Sequence, residues 1–124
     1  MKIKCGIDMI EIDRIRKDIE NLGEKFLKRI YTEKEIEYCE SKKKQKYQHY
    51  AARFCVKEAV FKAISEKLEN KYKIEWTDFE TLNTEQGRPM VKIKNVDNYK
   101  IENIDISISH CKQYAIANVV IIFK

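Results

Sequence analysis

Residues 53–63 read RFCVKEAVFKA, and small or apolar side chains recur there every three to four positions between charged ones. That period is typical of a helix with one buried face. It continues on both sides of the quoted run, so the sequence predicts that the longest helix covers residues 45–68. The apolar stripe of this helix consists of Ala52, Cys55, Val56, Ala59, Val60, Ala63 and Ile64.

Shorter elements precede this helix. Residues 3–8 alternate apolar and polar side chains, as a half-buried strand does. Ile12, Ile15 and Ile19 then recur at helical spacing, which predicts a helix over residues 10–20, and a second short helix is expected over 23–30. Thr32 followed by Glu35 has the form of a capping box, so a third helix is predicted over 33–40.

The second half of the chain changes its period from helical to extended. Residues 73–82 and 89–94 flank a polar connection and predict a β-hairpin. Residues 104–109 alternate strictly, and residues 114–123 form an apolar run typical of a buried strand. The sequence therefore predicts one α+β domain over residues 1–124, with its helices packed on one face of a mainly antiparallel sheet.

Composition restricts the environment and the partners. Lys plus Arg number 25 against 20 Asp plus Glu, a net charge of +5, which suits an anionic partner or simply reflects a Lys-rich proteome. No apolar run is long enough to cross a membrane, and residues 1–8 look like a strand rather than a secretory signal. Four widely spaced cysteines suggest free thiols, so we expect a cytoplasmic protein that does not bind membranes.

Asp8 stands at the end of the first predicted strand, two residues after Gly6. A carboxylate at that position could ligate a hard cation such as Mg²⁺ through oxygen. It could equally cap the helix that follows. The residues themselves leave both interpretations open.

Charged side chains on the long helix form pairs four residues apart. Glu58 and Lys62 share one face, where they could make a routine surface pair. Arg53 and Lys57 also share a face, although like charges at this spacing disfavour a helix. The presence of several cations on this helix is easier to explain if phosphates and a metal ion bind beside Glu58. Spacing alone does not establish this.

Two turns carry further candidates. Ser109 and His110 leave a predicted strand, where the imidazole could donate a hydrogen bond to a phosphate or could simply be an exposed polar group. Gly87, Arg88 and Pro89 lie at the predicted hairpin, where Gly allows a close backbone approach but is also an ordinary turn residue.

Taken together and in this order, these motifs resemble those of the holo-acyl-carrier-protein synthases, the short bacterial type within the 4′-phosphopantetheinyl transferase superfamily. The resemblance extends over nearly the whole chain. Its most specific parts are Gly6-Ile7-Asp8, followed by Glu11 and Arg14, and the F-x-x-K-E-A-x-x-K pattern of residues 54–62. Residues 31–35, Gly87-Arg88-Pro89 and Ser109-His110 match in the expected places.

The resemblance implies a function and a set of site residues. It implies transfer of 4′-phosphopantetheine from coenzyme A to a serine of apo-acyl carrier protein, with release of adenosine 3′,5′-bisphosphate, in support of fatty acid biosynthesis. The implied roles are Mg²⁺ ligation by Asp8 and Glu58, phosphate binding by Arg53, Lys57, Lys62, Ser109 and His110, nucleotide binding by Gly87, Arg88 and Pro89, and carrier-protein binding by Arg14. Asp8, Glu58 and Lys62 would be catalytic, and Glu58 is a plausible general base.

The resemblance also implies a homotrimer with each active site between two subunits. The sequence departs from the family at residues 65–68, Ser-Glu-Lys-Leu, where members commonly have a Gly-Thr-Gly-like turn. Lys67 or Lys71 could replace the phosphate contacts of that turn.

Two other classes of function compete with this interpretation. Tyr47, Tyr50 and Phe54 among basic residues could stack on bases in a nucleic-acid-binding module. Those aromatic side chains also have the spacing of residues buried on the helix, and no nucleic-acid fold pattern is present, so we expect no nucleic-acid partner. A non-catalytic trimeric scaffold is the third alternative.

Overall fold

The structure, a computed structural model, describes residues 1–68 and 73–124. Helices fill the first half of the chain after one strand, and strands fill the second half. The elements are β1 (Lys2–Glu11), α1 (Ile12–Leu22), α2 (Glu24–Ile30), α3 (Glu33–Glu40), α4 (Lys46–Ile64), β2 (Phe79–Asn83), β3 (Pro89–Ile93), β4 (Ile101–His110) and β5 (Tyr114–Phe123). The α+β fold class predicted from the sequence is confirmed.

The strands form two antiparallel sheets instead of one. β5 lies between β1 and β4 in a three-stranded sheet, and β2 pairs with β3 in a separate hairpin. β3 packs beside β4, but the connection between them contains a short 3₁₀ turn, Val96–Tyr99, bounded by the left-handed residues Asn95 and Lys100. The predicted hairpins are therefore present, and the N-terminal strand joins the C-terminal one.

α4 is the centre of the packing, because it contacts β1, β5 and β2 as well as α1 and α3. The whole predicted apolar stripe is buried, and so are four further residues on other sides of the helix: Tyr50, Ala51, Arg53 and Lys57. A helix enclosed on several sides buries more than a single stripe. The simple amphipathic pattern therefore underestimates how much of α4 is hidden.

Several predicted boundaries need correction. β1 continues to Glu11, which pairs with Tyr114 of β5, so α1 begins at Ile12 and not at residue 10. α4 ends at Ile64 and is followed by a 3₁₀ turn, Ser65–Lys67, so it is shorter than the predicted helix of residues 45–68.

The predicted strand that starts at residue 73 is also corrected, because β2 begins only at Phe79. Residues Trp76–Asp78 form a 3₁₀ turn whose ends are tied by Glu75 and Asp78. The amide of Glu75 donates to the Asp78 carboxylate at 3.1 Å, and such local hydrogen bonds compete with a strand ladder. The capping box of Thr32 and Glu35 at the start of α3, by contrast, is present as predicted.

Within residues 1–68 and 73–124, no helix combines the length and the apolar character needed to cross a membrane.

Candidate active site

β1 and α4 approach each other so closely at Gly6 that no side chain fits between them. A Cβ atom on Gly6 would lie 1.9 Å from the carbonyl oxygen of Ala59. Asp8 is two residues further along β1 and therefore on the same face as Gly6. Glu58 immediately precedes Ala59 on α4. The crossing of strand and helix thus brings together two carboxylates that are far apart in the sequence.

The pKa of Glu58 is affected by the charge of Asp8. Burial raises the pKa of Glu58 above its usual 4.5, the negative charge of Asp8 raises it further, and Lys62 opposes both effects. The thiol of Cys55, one turn earlier on α4, responds to the same charges: burial raises its pKa first, and Asp8 and Glu58 add to the rise. The negative charges of Asp8 and Glu58 therefore both act on this part of α4.

The side chain of Lys62 reaches from α4 to β1, where it contacts Asp8. Its ammonium is 3.0 Å from the carbonyl oxygen of Ile7 and 3.2 Å from a carboxylate oxygen of Asp8. The side chain is thus turned toward Asp8 and does not form the routine surface pair with Glu58 that spacing alone would allow. Asp8 does not cap α1 either, because the residue at the N-cap is Glu11.

The two carboxylates suit a hard divalent cation. Mg²⁺ in proteins is commonly held by one or two carboxylates together with water and substrate phosphates. In the part of the chain that the structure describes, no group of three or more His, Cys, Asp or Glu side chains is gathered around a common point. The mutual repulsion of Asp8 and Glu58 would be relieved by a bound cation, so the chemistry of this donor pair fits Mg²⁺.

A second group of basic side chains lies at the first half of α4 and consists of His49, Arg53 and His110. Arg53 is buried, its guanidinium lies 4.0 Å from the ring centroid of Tyr38, and its Nε has no hydrogen-bond partner among the described residues. His110, at the end of β4, packs edge-on against His49 with 5.8 Å between ring centroids. Arg53, His49 and His110 therefore form a site where an anion would find nearby cationic and donor groups.

His49 belongs to this candidate site and was not predicted from the sequence. Burial lowers its pKa to about 4, and the positive charge of Arg53 contributes to this shift. His49 is four residues before Arg53, so the helical spacing that paired other charged residues could have identified it.

Lys57 occupies a different environment from the one expected for a phosphate ligand. Its ammonium is fully buried and lies 2.7 Å from a carboxylate oxygen of Glu35. It also donates to the carbonyl oxygens of Trp76, at 3.0 Å, and Phe79. Burial lowers the pKa of Lys57, and the Glu35 carboxylate opposes that effect. Three acceptors occupy its three protons, so in this structure Lys57 is not free to bind a phosphate.

Arg88 lies on the hairpin turn between β2 and β3 and pairs with Asp105. Gly87 adopts φ 82°, in the region that favours glycine, and Pro89 begins β3. The guanidinium of Arg88 contacts both carboxylate oxygens of Asp105, at 2.7 and 2.9 Å. Within the described residues of one subunit, Arg88 forms no ion pair with Asp8 or Glu58.

The remaining predicted residues are exposed. Ser109 is at the end of β4 beside His110, and Arg14 is on the outer side of α1. Lys67 is in the turn that departs from the family pattern, and its ammonium lies 5.2 Å from the ring centroid of Phe123. This contact neither supports nor excludes phosphate binding by Lys67. Lys71 lies outside the described residues.

A cavity of about 180 Å³ opens directly beside Glu58. One wall is α4, and the other is the segment around the 3₁₀ turn, where Trp76 stacks on Phe54 with 5.1 Å between ring centroids. The lining residues are Lys57, Glu58, Phe61, Ile74, Glu75, Trp76 and Phe79. The sequence carries no signal for this cavity, because its pattern predicts a strand where the turn lies.

The aromatic residues that suggested base stacking have other roles. Tyr50 is fully buried, and its hydroxyl donates to Glu40. Phe54 is covered by Trp76, and Lys46 lies 5.3 Å from the ring of Tyr47. These contacts leave no row of exposed rings beside the basic residues, so they give no support to the nucleic-acid alternative.

Comparison with known proteins gives one consistent result. The family model described as the 4′-phosphopantetheinyl transferase superfamily matches residues 4–119. The chain is 42% identical to the holo-[acyl-carrier-protein] synthase of Ruminiclostridium cellulolyticum, over 98% of this chain and 92% of that protein. It is 41% identical to the protein of the same name from Clostridium tetani, over 94% and 93% of the two chains.

Solved structures agree with this result. The holo-(acyl-carrier-protein) synthase from Bacillus anthracis in complex with CoA (3′,5′-ADP) matches with a TM-score of 0.80 and 31% identity, covering 98% of this chain and 96% of that one. The Helicobacter pylori synthase in complex with coenzyme A matches with a TM-score of 0.82 and 30% identity, covering 94% and 98%.

Proposed function

The chain belongs to the 4′-phosphopantetheinyl transferase superfamily, and we propose that it transfers 4′-phosphopantetheine from coenzyme A to a serine of apo-acyl carrier protein in the cytoplasm, in support of fatty acid biosynthesis. The observation that carries this proposal is the meeting of Asp8, Glu58 and Lys62 where β1 crosses α4. Two carboxylates and one ammonium group that lie close together can bind a diphosphate together with a divalent ion.

The reaction forms a bond between the serine oxygen and the phosphorus that carries pantetheine, and it breaks the bond from that phosphorus to adenosine 3′,5′-bisphosphate. Negative charge increases on the non-bridging and leaving oxygens. Asp8 and Glu58 would hold Mg²⁺, which supplies a positive charge to these oxygens when it is bound. The ammonium of Lys62, next to Asp8, would donate to the same phosphates.

Glu58 is suited to receive the serine proton. Without a metal ion its pKa is raised by burial and by Asp8, and Lys62 opposes the rise. A general base works best when its pKa approaches the pH at which the enzyme operates. The carboxylate also borders the cavity, where a reactant can approach it.

Arg53, His110 and Ser109 would bind phosphate oxygens of coenzyme A. Arg53 has a buried donor, Nε, that lacks a partner among the described residues, and leaving such a donor unpaired costs about 1–3 kcal/mol. A phosphate oxygen would satisfy it. The Gly87-Arg88-Pro89 turn would contribute to the nucleotide pocket.

We further propose that the active protein is a homotrimer with sites between subunits. The outer face of the three-stranded sheet exposes four apolar side chains: Ile3, Ile7, Met9 and Val120, each at least 42% exposed. Contiguous exposed apolar surface often marks a contact with another protein. A neighbouring subunit on this face would allow a site to combine Asp8 of one chain with Arg88 of another.

The carrier protein would dock on α1, where Arg14 is exposed beyond the edge of the site. α1 follows β1 directly, so a partner bound there stands close to Asp8. An exposed arginine suits an acidic partner by charge complementarity.

The function is tested by incubating the protein with coenzyme A, Mg²⁺ and an apo-acyl carrier protein and then measuring the mass of the carrier. The expected result is a gain of one phosphopantetheine group that EDTA abolishes and added Mg²⁺ restores. An unmodified carrier under these conditions would refute the proposed function, and modification that persists in EDTA would refute the role of the metal.

A further inference from the structure

Glu35 and Lys57 form an ion pair that is sealed inside the protein. Their charged atoms are 2.7 Å apart, and both side chains are fully buried. Buried pairs of this kind often contribute little net stability, because both ions lose their hydration. An interior pair next to a proposed active site therefore calls for a reason other than stability, and the role inferred below rests on the proposed function.

Glu35 joins two elements through its carboxylate. One oxygen accepts the backbone N–H of Thr32 at 3.0 Å, and the other accepts the backbone N–H of Thr81 in β2 at 3.0 Å. Glu35 thus links the start of α3 to the middle of β2, and a hydrogen bond from the Thr32 hydroxyl to the Glu80 carboxylate joins the same two elements.

Lys57 extends this connection to the wall of the cavity. It is the residue before Glu58 on α4, and its ammonium donates to the carbonyl oxygens of Trp76 and Phe79 at the two ends of the 3₁₀ turn. Trp76 and Phe79 line the cavity opposite Glu58 and Phe61. The ammonium of Lys57 therefore links the α4 wall of the cavity to the wall that contains Trp76.

We propose that Glu35 and Lys57 are positioning residues: their ion pair sets the separation between the turn of α4 that carries Glu58 and the Trp76 wall of the cavity. Neither residue touches the reactants. They act through Glu58, whose distance from the reacting groups decides the rate, since a misplacement of about 1 Å can cost on the order of 10²-fold.

Two variants separate positioning from folding. Glu35→Asp keeps the charge but withdraws the carboxylate by one methylene. The double variant Glu35→Gln/Lys57→Met carries no unpaired buried charge, yet it loses the bonds to the Trp76 and Phe79 carbonyls. At least one of them is expected to stay folded, as judged by circular dichroism, because neither leaves an uncompensated ion inside the protein.

Trp76 provides a direct readout, because it is the only tryptophan in the chain. Without substrates, acrylamide quenching of its fluorescence should increase in each folded variant as the wall loosens. With substrates, kcat should fall roughly tenfold or more while KM for coenzyme A changes by less than about threefold, because the proposed coenzyme A ligands Arg53, Ser109 and His110 are not among the hydrogen-bond partners of Glu35 and Lys57.

Lys46→Met is the matched control. Lys46 also joins α4 to α3, through Glu40 at 3.4 Å, but this pair is partly exposed and does not border the cavity. Both the quenching and kcat of this variant should match those of the unmodified protein.

A folded double variant with unchanged quenching and kcat within about twofold would overturn the proposal. So would a loss of kcat without a change in quenching. The fluorescence measurement needs no substrate, so the proposal remains testable if the unmodified protein fails to transfer phosphopantetheine, a result that would count against the proposed function alone.

Discussion

The ammonium of Lys62 lies 3.2 Å from a carboxylate oxygen of Asp8, across 54 positions of the chain. Glu58 has no such partner: within the described residues it makes no ion pair, and its pKa is raised. Among these residues, Asp8 therefore has a direct ion-pair partner in Lys62, and Glu58 does not. That asymmetry is consistent with the proposed roles, in which Asp8 and Glu58 hold the metal ion, Lys62 binds phosphate and Glu58 also accepts the serine proton.

Lys62→Ala should lower kcat by about 10- to 10³-fold, because a cation aimed at the developing phosphate charge is lost. The Mg²⁺ concentration for half-maximal rate should not increase, since a competing cation has left Asp8. Steady-state kinetics over a Mg²⁺ titration measures both quantities. Lys28→Ala, which removes an exposed lysine paired with Glu24 on α2, is the control. Unchanged kcat in Lys62→Ala would contradict the assignment.

Gly6→Ala should destabilise the protein by about 1–3 kcal/mol or more, because the new Cβ would overlap the Ala59 carbonyl and force β1 and α4 apart. Any folded fraction should also lose activity, since the same shift separates Asp8 from Glu58. Chemical denaturation and the carrier assay test the two effects. Gly23→Ala is the control: it has φ 64° but open space, so it should cost stability and leave the specific activity of the folded protein unchanged.

Glu58→Gln should raise thermal stability in EDTA at neutral pH, while turnover is lost. The folded-state pKa of Glu58 is raised, so the ionised form is disfavoured by folding, and its cost appears as pH rises from the unfolded value of about 4.5 through the folded pKa. The difference in Tm between variant and unmodified protein should therefore vanish below that window and reach a plateau above it. A constant difference at every pH would show that Glu58 is not perturbed.

Mixing two inactive variants tests whether sites lie between subunits. Asp8→Asn removes the metal half of a site, and Arg88→Ala removes the nucleotide half. If each site combines the halves of neighbouring subunits in a three-membered ring, random exchange of equal amounts restores about a quarter of the original sites. Unfolding and refolding the mixture, followed by the carrier assay, measures the recovery. Absence of recovery, with exchange verified by mass spectrometry of the assembled complex, would place both halves in one chain.

The sequence predicted the elements whose signals are local. The capping box at Thr32 and Glu35 defined α3, and the isoleucine spacing predicted the buried face of α1. The strand expected from residue 73 was wrong at its start, because the Glu75 and Asp78 side chains bond to the backbone there. Such local competition is hard to weigh without knowing what packs against the segment.

The same distinction between local and long-range signals applies to the candidate site. The approach of Asp8 and Glu58 could be expected from motif order, but the reason for it, the missing Cβ of Gly6, depends on which strand crosses which helix. Lys57 has the positive charge expected of a phosphate ligand, and only its burial against Glu35 in the structure shows that it is not free to bind a phosphate. A long-range pair such as this leaves no periodic trace in the sequence, because its partners are on separate elements.

Among the described residues, the first strand of the sheet pairs with β5 and with no other strand. During synthesis the residues from Lys2 to Glu11 leave the ribosome before any of the helices, but their hydrogen-bonding partner, Tyr114–Phe123, is made only after all of them. Asp8 therefore acquires its final position only once β5 is available, so a nascent chain, or one truncated before β5, would lack the assembled site that we propose to be catalytic.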